Sequence, residues 1–337
     1  MKDKEFIEMA HGSGGRLSQE LIESVMMPAF ANEMLEARHD GAQFTIDGAR
    51  LAFSTDSFVV SPHFFPGGNI GKLAVCGTVN DLAMNGAVPL YLSAGFIIAE
   101  GYPLADLKKI AAAMGDTAKA AGVQIVTGDT KVVERGLADG LYINTAGVGR
   151  ILPKVQISAD LAAPGQAVLI SGTLGEHALA VMKERHGLTF PAEIVSDCAP
   201  LNGLAESLLA EVPEVAVLRD PTRGGLATTL CEIAEQAKVG ILLDETAIPV
   251  RPQVQSICDL LGFDPLYLAN EGKMIVLVAE ELAEKALAVL RRHPYGQEAA
   301  RIGQVVTEPA GQVGLRTTIG GIRKLDMLIG DQLPRIC

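Results

Sequence analysis

Tryptophan is absent from the 337-residue sequence and aromatic residues make up only 4%, so any core must be assembled mainly from aliphatic side chains. No stretch approaches the ~20 consecutive apolar residues of a membrane-spanning helix. The opening MKDKEFIEMAHGSGG is charged and lacks the apolar centre of a signal peptide, so a cytoplasmic location is expected. Paired cysteines are missing too. Cys76, Cys198, Cys231, Cys258 and Cys337 form an odd set without a C-x-x-C spacing, which argues against a disulfide framework and a zinc knot. Four of them sit in apolar stretches such as KLAVCGTV and TLCEIA and read as small buried hydrophobes. Cys337 has no such context. The six histidines show no metal-ligand spacing and are read as non-catalytic. Positive charge is scarce: 28 Lys and Arg stand against 40 Asp and Glu, a net −12 that repels phosphate backbones and excludes general nucleic-acid binding. A small phosphate ligand is still admissible where a metal ion neutralises it locally.

The hydrophobic fraction is 48%, enough for about two packed cores at this length. Strands are expected at LAFSTDSFVV, LYLSAGFII, VQIVTG, LYINTAGVGR, AVLISG, KMIVLVAE and RIGQVV, and helices over 70–83, 104–121, 176–186, 200–209, 225–238, 254–261 and 281–292. This mixture fits an alternating α/β or an α+β protein. Pro153 and KVQISADLAAPGQ interrupt the pattern near residue 155, dividing an N-terminal domain 1–154 from a second domain 155–328. The remaining 329–337 contains GDQLPRIC, which has turn residues and a proline but no period, and reads as an exposed, mobile tail.

Acidic residues recur at the ends of apolar elements. Asp56 lies within STDSF, Asn80 and Asp81 near the end of GKLAVCGTVNDLAMNGA, and Asp129 closes VQIVTGD just before Lys131. Each Asp fits a cap or turn; together they also fit Mg²⁺, which takes carboxylates shared with phosphate oxygens. HGSGG, with Gly14 and Gly15, precedes a helix-like LSQELIESVM and reads either as a phosphate cradle or as a flexible loop. In RDPTRGG an anion could bind at Gly224-Gly225, or Asp220 and Thr222 could simply cap the helix that follows. Glu271 in ANEGK is either a solvated turn residue or a base at a strand edge.

Taken in order, STDSFVV, FFPGGNIGKLAVCGTVNDLAMNGAVPLYLSAGF, GDTKVV, DPTRGG, ANEGK and the closing PRIC resemble the HypE family of hydrogenase maturation factors. These are carbamoyl dehydratases of the aminoimidazole ribonucleotide synthetase-like (PurM-like) ATP-binding superfamily. The resemblance implies two PurM-like α+β domains, a homodimer paired through its N-terminal domains, and ATP with Mg²⁺ between the domains. It further implies that a carbamoyltransferase, HypF, loads a carbamoyl group on Cys337. ATP-driven dehydration then yields a thiocyanate, and the cyanide passes to iron on a HypC–HypD scaffold. The implied metal site is Asp56, Asp81 and Asp129. Lys72, Asn80, Gly14 and Gly15 join those acids as nucleotide contacts, and Lys131 and Glu271 serve the carboxamide on Cys337.

The implied chemistry makes definite demands. A carboxamide oxygen leaves poorly until it is phosphorylated; loss of the nitrogen proton and of phosphate then leaves S–C≡N. A thiol suits the carrier because its thiolate is a strong nucleophile. Seven residues from Asp331 to Cys337 reach at most roughly 25 Å, enough to carry the thiol between solvent and a cleft, and Pro334 would stiffen that arm. Arg335 is open to three roles: assisting the thiol, binding phosphate or contacting a partner. Two competing readings stay open, a selenophosphate synthetase or thiamine-monophosphate kinase type of enzyme, and a non-catalytic carrier.

Overall fold

The structure is a computed structural model, described for residues 6–190, 193–330, 333 and 335–337. A helical segment over 16–30 leads into the first sheet. That sheet is built from β1 (Ala42–Ile46), β2 (Ala49–Phe58), β3 (Ala87–Ala99), β4 (Gln124–Val133) and β5 (Leu141–Ile151), in the order β1-β2-β5-β3-β4. Only β3 and β4 run parallel. Residues 30–50, which carry no motif, supply β1 as the antiparallel neighbour of β2.

Helix α1 (Ile70–Met84) starts where the Asn69 side chain accepts N–H bonds from Gly71 and Lys72 at 2.9 and 3.1 Å. It is apolar nearly all round and buried nearly all round, as a helix with protein on every side must be. Helix α2 (Leu104–Ala121) is amphipathic: Ile110, Met114, Thr117, Ala118 and Ala121 face inward, and Gly122, at φ +72°, ends it. Both helices fall where the 3.6-residue period places them.

The second sheet draws on β6 (Gln166–Ile170), β7 (Val217–Arg219), β8 (Gly240–Asp244), β9 (Ile275–Ala279), β10 (Ala300–Val306), β11 (Gln312–Arg316) and β12 (Ile322–Leu325). Its order is β12-β11-β8-β10-β6-β9-β7. Helices α3 (Glu176–His186) and α6 (Pro252–Leu261) bury their apolar residues in the core of the first half, while α4 (Asn202–Glu211), α5 (Gly225–Ala237) and α7 (Ala283–Arg292) pack this sheet. Five strands of the two sheets, β1, β7, β8, β11 and β12, are absent from those expected of the sequence; β11 and β12 are short and carry charged residues, whereas β7 and β8 draw on the apolar runs VAVL and GILL.

The two halves share core. Ala83 and Met84 of α1 pack with Val155, Ile157 and the α4 leucines. Asn80 ties them further: its amide donates to Ala199 O at 3.1 Å and its oxygen accepts Leu201 N–H at 2.7 Å. At 1% exposure with both ends of its amide engaged, Asn80 holds the halves together rather than facing a nucleotide. Ile336 and Cys337 also belong to the core, packed with Phe58, Val60, Phe65 and Ala178. The expectation of an exposed tail is therefore corrected at these two residues. The stiffening expected of Pro334 lies outside the described residues.

Candidate active site around Cys337

Val59, Val60 and Ser61 follow β2, and residues 335–337 run antiparallel beside them through two main-chain bonds, without a regular strand, since Arg335 has φ +54°. Val59 N–H donates to the Cys337 main-chain oxygen at 3.1 Å, and Ser61 N–H to Arg335 O at 3.3 Å. Arg335 Nε–H returns a bond to Val59 O at 2.9 Å. Its guanidinium also pairs with Asp139 and lies over the Tyr142 ring, 5.8 Å from the centroid. Main-chain pairing fixes the register and Ile336, 5% exposed, provides apolar anchorage. Of the three roles open to Arg335, the structure shows a fourth: it fastens the segment that bears the thiol.

Cys337 is 7% exposed, and its Sγ accepts an N–H from Arg223 Nη1 at 3.7 Å. Burial pushes this thiol from the ordinary 9.0 to about 12; Arg223 opposes the shift, while Glu271 and Asp56 add to it. Arg223 itself is held firmly charged, chiefly by Cys337. Glu271 is 3% exposed, and burial together with Cys198, Asp220 and Asp56 raises its carboxyl well above the usual range. It is not a solvated turn residue. A cavity of about 430 Å³ opens beside the thiol, lined by Val59, Arg223, Cys337 and the glycine loop at Gly12 and Ser13.

That glycine loop is packed in place. Gly14 has φ +77°, and a Cβ there would stand 2.7 Å from Arg223 Cβ; one on Gly15 would stand 2.2 Å from Leu328 O. Gly14 N–H already donates to Ser18 Oγ at 2.9 Å. The glycines thus allow the loop to close over Arg223. The region is a built wall of the cavity, and the reading as a flexible loop is set aside.

The proposed metal residues separate. Asp81 accepts a 2.6 Å bond from Ser54 Oγ, and burial plus Asp220, Asp56 and Asp40 raise its carboxyl well above the usual range. Asp56 is raised by burial, with Arg223 opposing, and Asp220 is pushed up to about 8 by burial and then Asp40. Asp129 stands elsewhere. Asp56 faces Thr145 on β5, Ala94 on β3 and Gly128 on β4, so Asp129 lies three strand spacings from Asp56, about 14 Å. One ion cannot bridge that span. Among the described residues no three His, Cys, Asp or Glu side chains form a ready cage. The crowded carboxylates of Asp56 and Asp81 nonetheless suit a magnesium ion that takes one or two protein ligands and completes its shell with phosphate oxygens. Asp220, absent from the sequence-derived set, is the acid that acts most strongly on Asp81.

Lys131 is also apart from the thiol. It pairs with Asp129 at 2.8 Å on the outer strand β4, and this pairing lowers the Asp129 carboxyl. Both line a second cavity of about 360 Å³, with Val59 common to its wall and to that of the thiol cavity. Lys72 Nζ is tied to Gly67 O at 2.9 Å. The structure thus places Glu271 and Asp56 in the surroundings of Cys337, and adds Arg223 and Asp220, neither of which was among the candidate site residues. Both sit within the quoted RDPTRGG, where an arginine between a Pro-Thr turn and two glycines was the available signal.

Two family models cover most of the chain: the AIR synthase related protein N-terminal domain over residues 38–151, and the corresponding C-terminal domain over 163–316. Among curated proteins, carbamoyl dehydratase HypE of Cupriavidus necator is 54% identical over 98% of this chain and 95% of its own. The Escherichia coli enzyme of the same name is 50% identical over 98% and 99%. The chain belongs to the carbamoyl dehydratase HypE family.

Solved HypE structures agree. HypE from a HypE–HypF complex superimposes with a TM-score of 0.88 at 50% identity, covering 91% of this chain and 99% of that one. HypE in complex with ATP gives 0.84 at 52%, covering 98% and 100%. A thiamine monophosphate kinase of Aquifex aeolicus reaches 0.63 at only 16% identity and shares the fold alone. The two-domain PurM-like α+β fold expected of the family is the one observed.

Proposed function

We propose that this HypE-family chain dehydrates a carbamoyl group carried on its own Cys337 to a thiocyanate, using ATP, for the cyanide ligand of [NiFe]-hydrogenase iron. The observation that carries this reading is the buried Cys337 thiol, 3.7 Å from the Arg223 guanidinium and under the electrostatic influence of buried Glu271. ATP supplies the phosphoryl group that converts the carboxamide oxygen into a leaving group. Glu271 is the base for the carboxamide nitrogen: the environment that raises its pKa also makes its carboxylate a stronger proton acceptor. Arg223 holds positive charge beside the sulfur and is positioned to stabilise negative charge developing on the carbamoyl group. Asp56 and Asp81 would hold magnesium, which would neutralise phosphate charge.

Asp129 and Lys131 are assigned to the far part of the same phosphate path, beyond Val59, and Gly14 and Gly15 to its lid. The boundaries 1–154, 155–328 and 329–337 are retained as functional divisions, supported by a separate sheet in each half. A homodimer through the first sheet is supported by its outer strand β4, which leaves Val126 57% and Val132 67% exposed. HypF as the carbamoyl donor and HypC–HypD as the acceptor complete the sequence. A cytoplasmic setting fits five free cysteines, and among the described residues no helix is long and apolar enough to cross a membrane.

The test is mass spectrometry of the Cys337 peptide from carbamoylated protein given Mg-ATP. A loss of one water is expected in the wild-type chain, and Glu271→Gln should slow it by about a hundredfold or more while leaving carbamoylation intact. An unchanged mass with ATP intact would favour a carrier that performs no chemistry.

A further inference from the structure

The thiol-bearing segment is gripped from one helix, α3, by two side chains that the reaction itself does not require. His177 is fully buried, with its ring edge-on to Phe65 at 5.4 Å between centroids. Its Nε2 lies 2.9 Å from Ile336 O and its Nδ1 2.8 Å from Ser196 Oγ. The hydrogens can be assigned. A carbonyl oxygen only accepts, so Nε2 carries the proton and donates to Ile336. Burial disfavours the imidazolium, so Nδ1 is bare and Ser196 Oγ–H donates to it. Ser196 Oγ in turn accepts Cys198 N–H at 3.1 Å, which leaves its own hydrogen free for the ring. The relay is saturated and fixes one tautomer. Two turns along, the Arg185 guanidinium bridges the two segments, donating to Ser61 O at 2.6 Å and to Arg335 O at 2.5 Å.

We propose that His177 and Arg185 are positioning residues that latch the 335–337 main chain into the cleft, setting the Cys337 carbamoyl group against Arg223 and Glu271. The inference rests on the dehydratase reading for its kinetic consequence, but the latch itself does not. His177 belongs to the second half of the chain and Ser61 to the first, so the grip forms only when the halves are in register. Ser196 N–H donates to Pro66 O at 2.9 Å, which ties the relay to the first half as well. Release of the latch frees the thiol to reach a carbamoyl donor.

Two readouts test this on the full chain. Alkylation of Cys337 by iodoacetamide reports release without any catalysis, and the single-turnover dehydration rate of carbamoylated protein at saturating Mg-ATP reports positioning. His177→Leu should speed alkylation about tenfold or more and slow dehydration by a similar factor, since a buried carbonyl loses its donor. His177→Gln, which returns an N–H near the Nε2 position, should recover most of both losses. Arg185→Met, which keeps the apolar stem, should shift both rates in the same directions and provides the test where the leucine variant fails to fold. Carbamoylation by the transferase should be unchanged or faster in all three. Unaltered alkylation in folded His177→Leu or Arg185→Met overturns the latch, as does a glutamine variant no better than leucine. Faster alkylation in a protein whose wild type never dehydrates would uphold the latch and sink the dehydratase reading.

Discussion

Replacing Arg335 with methionine isolates what holds the thiol in its cleft. Methionine keeps an apolar stem beside Tyr142 but removes the Nε–H bond to Val59 O and the pairing with Asp139. A single such hydrogen bond is worth about 1 kcal/mol, and an ion pair to a carboxylate as open to solvent as Asp139 contributes at most about the same. Ile336 remains buried, and burying an isoleucine stabilises by about 2 kcal/mol, so insertion is weakened rather than abolished. A loss of about 1.4 kcal/mol raises the released population about tenfold.

The assay is alkylation of Cys337 at pH 8. A thiol at 9.0 is then about one-tenth ionised, whereas one at about 12 is ionised to about one part in ten thousand. The inserted thiol is thus nearly inert, and the observed rate counts released molecules. Arg335→Met should therefore react about ten times faster than wild type. The pH dependence has a definite sign. Because insertion raises the thiol pKa, its contribution to insertion is complete below pH 9 and is lost as pH rises from 9.0 towards about 12. Protection should fade across that window. A wild-type rate equal to that of a short peptide thiol, or no difference between the two proteins, would refute the reasoning.

Other perturbations separate the charges. Asp81 is raised by burial and then by its acidic neighbours, so its contribution to stability is present below the ordinary 3.8 and is lost as pH rises; at neutral pH it strains the metal-free fold. Asp81→Asn should raise the metal-free melting temperature by about 2–4 °C, as roughly 1 kcal/mol would, and abolish the further rise on adding Mg-ATP. A variant that still gains stability from Mg-ATP removes Asp81 from the metal site. Lys131→Met should leave the melting temperature unchanged, because Lys131 and Asp129 are a solvent-exposed pair, yet slow dehydration at least about tenfold. Unaltered single-turnover kinetics would exclude Lys131 from the phosphate path.

Much of the fold was readable along the chain because its elements announce themselves locally. The 3.6-residue period of α2 and the largely apolar α1, capped by Asn69, are properties of consecutive residues. The closing PRIC and the ordered set of acidic and glycine motifs likewise identified the family. The short, charged strands β11 and β12 were invisible because their pairing, not their composition, makes them strands, while the apolar runs VAVL and GILL of β7 and β8 are too short to be told from other buried segments by period alone.

What the sequence determined by itself was therefore the class of fold, the family, and Cys337 and Glu271 as candidates, with the burial of that glutamate left to the structure. Only the tertiary structure decided how these meet. It separated Asp129 and Lys131 from the thiol by strand order, engaged Asn80 as a brace, and drew Arg223, His177 and Arg185 around residues 335–337. None of those three is a neighbour of Cys337 in sequence. The physical reason is that hydrogen bonds and charge act across a few ångströms of space, and chain folding alone brings residues more than a hundred positions apart into that range.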